Sequence, residues 1–173
     1  MTDPIAAEFV RAARHTLAEG MRKIEHCAGQ LSDEQIWWRP REEMNSIANL
    51  MLHLSGNLRQ WIVSGVGGAK DQRNRPGEFN DRSQRSKGEV LAALKQTVAE
   101  ADAVLAGVSV EELLRPRRIQ GFDESGISAI MHTVPHFRGH TQEIIHMTRT
   151  QLGPAYKIDF VPKGPEQISA GGA

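Results

Sequence analysis

A chain of 173 residues can bury about 70% of its unfolded surface around one core, so neither a disulfide nor a structural metal is needed for folding. Its 21 basic and 21 acidic residues cancel, which disfavours nucleic acid and anionic membranes as partners and leaves small neutral or mixed-charge molecules. The single cysteine, Cys27, excludes an intrachain disulfide and a cysteine-built zinc cluster, and it fits a reducing compartment.

Asp3 followed by Pro4 has the form of a helix start. Ile5, Phe9, Ala12, Ala13, Thr16, Ile24 and Cys27 then recur at helical intervals up to Gly29, which predicts a first long helix. Ser32 with Gln35 three residues on has capping-box form, so a short helical turn through Ile36, Trp37 and Trp38 is expected before Pro40, with the tryptophans as lids over the bundle end. A second helix should start at Ser46, run through Leu50, Leu54, Leu58 and Trp61, and stop at Gly65, Gly67 and Gly68. Residues 67–85 are almost wholly polar and read as the longest loop, with Phe79 as its one obvious anchor. Its arginines, Arg73, Arg75, Arg82 and Arg85, are the one feature that speaks for nucleic acid against the zero net charge.

Ser86 and Glu89 cap a third helix carrying Val90, Leu94, Val98, Ala101 and Leu105, and Gly107 ends it. Ser109 with Glu112 repeats the signature for one more turn. Residues 114–125 read as a connection with an extended piece through Arg117, Arg118 and Ile119. The fourth helix spans 127 to about 152 and closes at Gly153 and Pro154. The expectation is an all-α, single-domain four-helix bundle over residues 1–173, in which the segment from 156 onward packs briefly through Ile158, Phe160 and Val161 and then frays. No stretch approaches the roughly 18 uninterrupted apolar residues of a membrane span, and Met1–Glu8 lacks a basic start ahead of an apolar core, so the expected location is the cytoplasm.

Chemistry concentrates in the histidines. His136 and His140 are four residues apart, which aims two imidazoles from successive turns toward one point. His53 sits in an apolar segment of the second helix, flanked on its own face by Asn49, Asn57, Gln60 and Ser64, a polar seam beside the apolar stripe. Packing the two helices together would set His53 opposite the other two, and three imidazoles with one open position describe a catalytic divalent-metal centre. His132, also four residues from His136, is an alternative ligand, but Pro135 disturbs its turn. Glu143, about one turn beyond His140, can orient an imidazole, act as a base toward a metal-activated water, or be solvated; Asn57 is a second candidate beside the ligands. His15, His26 and His146 read as surface residues.

At His53 and at His136-Phe-Arg-Gly-His140 the chain resembles the DinB/YfiT-like superfamily of metalloenzymes, and the match runs from residue 1 to about 155. The segments around Asn45–Trp61 and His132–His146 look most like a subgroup known only as a domain of unknown function. The resemblance implies an up-down-down-up bundle and a homodimer. It also implies one divalent nickel, zinc or iron ion held by His53, His136 and His140. Many relatives place Arg-Gly-Gln after the last ligand; here Arg138 and Gly139 precede His140, and Thr141 and Gln142 follow it.

Some relatives are transferases and isomerases that use a low-molecular-weight thiol such as bacillithiol or mycothiol. The expected function is thus a metal-dependent transferase joining such a thiol to a small electrophile, with Glu143 and Asn57 supporting the site. Metal-assisted hydrolysis is the rival chemistry, and a non-catalytic metal-binding stress-response bundle the rival class.

Overall fold

A computed structural model describes residues 3–159. Helix α1 spans Pro4–Gly29, with the Asp3 carboxylate accepting from the amides of Ile5 and Ala6. Helix α2 is the short turn Asp33–Trp37, and α3 runs from Ile47 to Leu58. Serine capping boxes at Ser32 and Ser46 start both, each satisfying amides that the first helical turn leaves without partners. The helix does not stop at Leu58: it continues in wider π turns over Arg59–Val66.

Beyond it the expected loop 67–85 contains a helix, α4, spanning Arg75–Asn80. Six polar-rich residues give no periodicity to read, and what holds α4 in place is one buried carboxylate, Glu78, rather than an apolar stripe. Helix α5 covers Lys87–Gly107 and α6 covers Val110–Leu114. The extended piece at Arg117–Ile119 is strand β1, and it pairs with an unforeseen antiparallel strand β2, Phe122–Glu124. Gln120 and Gly121 both have positive φ, 52° and 87°, which suits a tight two-residue hairpin turn. Helix α7, Gly126–Leu152, follows Ser125 as its cap and passes through Pro135 without ending.

The four long helices form a bundle whose directions follow from their contacts. Arg14 pairs with Asp102 and Lys95 with Glu25, so α1 and α5 run antiparallel. Ser55 bonds Thr97 while Arg59 reaches Glu100, so α3 and α5 run in the same direction. Gly20 packs on Phe137 and Thr141, and the face around Lys23 and His26 meets Gln142, Ile145 and Arg149, which makes α1 and α7 parallel. His53 meets His136 while Trp61 meets His132, so α3 and α7 are antiparallel. The order up, down, down, up places α7 between α1 and α3.

The core is continuous through Leu17, Ile24, Leu50, Leu54, Leu58, Trp61, Leu94, Phe137 and Ile144. Ile5, read as part of the first stripe, is 80% exposed because α1 begins beyond the packed region. The two tryptophans divide: Trp37 is buried with its indole N–H donating to the Arg85 carbonyl at 2.8 Å, whereas Trp38 is largely exposed. Cys27 is buried, and burial raises its thiol pKa. The residues after α7 are held by polar contacts, His26 to the Lys157 carbonyl at 2.7 Å and Arg22 to Asp159, whereas Ile158, expected to pack, is 60% exposed. Phe160, Val161 and the rest of the expected frayed segment lie outside the described residues. Among those described, no helix is long and apolar enough to cross a membrane.

A Cβ at Gly20 would fall 2.8 Å from the Phe137 ring and 3.1 Å from the Thr141 hydroxyl, both buried. Gly20→Val therefore overpacks the α1–α7 contact and should lower unfolding free energy by about 1–3 kcal/mol, read as a reduced urea midpoint at unchanged m-value. An unchanged midpoint would contradict this close helix approach.

Candidate metal centre

The seam between α3 and α7 assembles His53, His136 and His140, each offering a nitrogen within 4.8 Å of the others. Two helical periodicities produce this. His136 and His140 are stacked one turn apart on α7, their ring centroids 4.5 Å apart and their planes perpendicular. His53 arrives from the antiparallel α3 with its ring centroid 5.0 Å from His136 and 5.2 Å from His140. The His53 and His136 Nε2 atoms are 2.9 Å apart. His132 does not join them. It is exposed and stacks on Trp61 at 3.8 Å, because the π turns after Leu58 present that indole to α7 just there.

Burial and hydrogen bonding divide the three imidazoles. His53 is 5% exposed, and its Nδ1 lies 2.9 Å from Glu78 Oε2. Glu78 is held in turn by Arg73, whose Nε and Nη2 donate to its two oxygens at 2.7 and 2.8 Å. The Arg73 side chain is only 3% exposed and donates its remaining Nη1 to Gln60 at 2.9 Å, and Gln60 donates to Asp71. Burial pushes the Glu78 carboxyl up, but the hydrogen bonds from Arg73 and His53 and the arginine charge outweigh it and hold the group below the usual carboxylate range. Asn49 completes the docking of α4: it donates to the carbonyls of Glu78 and Asp81 and accepts from Ser46 and Arg39.

At the outer edge Glu143 Oε2 lies 2.7 Å from His140 Nδ1, and the His140 side chain is 23% exposed. The Phe79 ring lies against His53 at 4.7 Å, with the Arg75 guanidinium over its other face at 4.9 Å. Asn57 is buried one turn beyond His53; the imidazole Nδ1 atoms of His53 and His140 face the Glu78 and Glu143 carboxylates, and Arg73 Nη2 also lies 3.2 Å from His53 Nδ1. Of the loop arginines, Arg73 is buried against Glu78, Arg82 donates to the Phe79 and Asp81 carbonyls, and Arg85 pairs with Asp81. Glu78 was not singled out from sequence, and Arg73 only as one of the loop arginines. The usable signal was an acidic residue beside the lone aromatic of an otherwise polar segment.

The donor set suits a divalent cation. A carboxylate can only accept, so each Glu-bound Nδ1 carries the proton and each remaining Nε2 keeps its lone pair for an ion. In tetrahedral zinc sites Zn–N bonds of about 2.0–2.1 Å put ligand nitrogens roughly 3.3 Å apart, so the separations here need only small rotamer shifts. The larger surface cavities, about 560 and 590 Å³, lie at the end of the bundle where α1 begins and α5 ends.

Burial, reinforced by the neighbouring His140, His53 and His132 and by Arg73, depresses the His136 pKa from 6.5 to about 4. The folded protein then binds fewer protons than the unfolded chain between those values, so metal-free protein loses stability as pH falls from about 6.5 to 4. The melting temperature of wild-type protein in chelator should fall across this window more steeply than that of His136→Gln. Parallel profiles would show that His136 is not held neutral.

Among solved structures, the chain is similar to a DinB-like protein of Bacillus subtilis, YjoA, at 14% identity and a TM-score of 0.65, covering 86% of this chain and 96% of that one. It is similar to a DinB-like protein of Bacillus cereus ATCC 10987 at 11% identity and a TM-score of 0.67, covering 87% and 95% of the two chains. Both likenesses concern the fold. No curated protein matches the sequence. A family model described as protein of unknown function (DUF1572) matches residues 4–165, nearly the whole described chain, and the protein belongs to that family.

Proposed function

We propose that the protein is a divalent-metal-dependent enzyme that joins a low-molecular-weight thiol to a small electrophile, with His53, His136 and His140 as the metal ligands. The observation that carries this reading is the convergence of the three imidazoles, two of them with Nδ1 committed to a carboxylate. When bound, a divalent ion lowers the pKa of a coordinated thiol so that thiolate, the nucleophile, forms near neutral pH.

The chain's own residues supply position and shelter. His53 gives a buried wall, while the half-buried His136 and His140 leave the outer side open to small molecules. Phe79 packs on His53, and the stacked Trp61–His132 pair lies beside His136. Glu143 holds the His140 Nδ1 proton and so lies on the side of that ring away from the ligand nitrogen, which favours an orienting role over that of a base. Asn57, buried on the His53 face, offers an amide that can hold a substrate or a ligand in place.

Protein purified without a metal-affinity tag should carry about one equivalent of nickel, zinc or iron, and His53→Ala should lose at least about ten-fold of it. Metal-loaded protein should consume thiol in the presence of an electrophile. Full metal content in His53→Ala would refute the ligand assignment. Ester or amide cleavage without thiol consumption would establish hydrolysis instead, and metal uptake with neither activity would establish a binding protein.

A further inference from the structure

We propose that Glu78, backed by Arg73 and admitted by Gly56, is a positioning residue that fixes His53 in the Nδ1–H tautomer and so aims its Nε2 lone pair at the metal centre; this rests on the metal reading above. Three observations support it. The Glu78 carboxylate sits 2.9 Å from His53 Nδ1, and with both Arg73 bonds in place it can only accept there. Arg73 Nη2 also lies 3.2 Å from that Nδ1, but it donates over the shorter 2.8 Å to Glu78 Oε2, which leaves the carboxylate as the acceptor for an Nδ1 proton. Glu78 and Arg73 are buried together, so neither can rotate into solvent without leaving a charge uncompensated.

The second helix is shaped for this carboxylate. A Cβ at Gly56 would fall 1.9 Å from Glu78 Oε1, 2.6 Å from its carboxyl carbon and 3.1 Å from Arg73 Nε. Glycine in mid-helix is a poor helix former, and here its missing side chain is the space the acid occupies. Asn49, two turns earlier on the same helix, holds the Glu78 backbone carbonyl at 2.9 Å. Side chain and main chain of this residue are thus pinned to α3 independently. Glu143 supports His140 in the same chemical way, but from the exposed edge and from within its own helix.

The test uses full-length protein, with zinc as the probe. In metal-free wild type, histidine ¹⁵N chemical shifts should show His53 protonated on Nδ1; an Nε2–H tautomer overturns the proposal without any variant. Glu78→Gln keeps the volume and removes the charge. Gly56→Ala leaves the acid chemically intact, displaces it, and favours the helix. Each should weaken zinc binding, measured by competition with a chromogenic chelator, by about 10- to 100-fold and shift His53 toward a mixed tautomer, with helix content unchanged. Equal zinc affinity in wild type and both variants, with an unaltered His53 tautomer, overturns the positioning role alone. A wild type that takes up no zinc, nickel or iron overturns the metal reading itself.

Discussion

Placing three imidazoles, a carboxylate and a guanidinium in the seam between α3 and α7 costs desolvation free energy, and the surrounding chain is arranged to offset it. The buried groups behind His53 are partnered across elements. Arg73 comes from the segment before α4, Glu78 from α4 itself, Gln60 from the π turns, and Asn49 from the start of α3. Removing Arg73 or Glu78 alone would leave the other a buried charge without its partner, at a cost of several kcal/mol. The polar cluster therefore does structural duty as well as chemical: it is the anchor that turns a polar segment into a defined flap over the bundle.

The four-helix layout was readable because amphipathic periodicity and serine caps are local signals. Ser32, Ser46, Ser86 and Ser109 mark starts that the structure reproduces. The histidine arrangement was readable for the same reason: a spacing of four on α7 and one apolar-flanked histidine on α3 require only that the two helices pack. Glu78 was not readable. Its partners are five and twenty-five residues away, and no periodicity links a polar segment to a buried imidazole.

The π turns were invisible for a related reason. A wheel at 100° per residue carries Ser64 back beside His53, whereas the wider turns after Leu58 rotate it off that line and give Trp61 to His132. The hairpin was half visible: Arg117–Ile119 showed strand-like residues, but its partner Phe122–Glu124 has no alternation to mark it and forms because Gln120 and Gly121 accept positive φ.

The shared fold with the DinB-like structures accounts for the geometry that brings one histidine of α3 to two of α7. At identities of 11 and 14%, the likeness is one of fold, and the side chains set on that fold are free to differ. Family membership leaves the chemistry to be argued from this chain's own side chains.

Gly56 gives that freedom a visible trace. A bare position three residues past the α3 histidine has no use in helix formation and is filled from outside by an acid. In this chain a larger residue at that point would leave no room for a carboxylate from the 67–85 segment, so the His-x-x-Gly of α3 records in the sequence what stands behind the first imidazole.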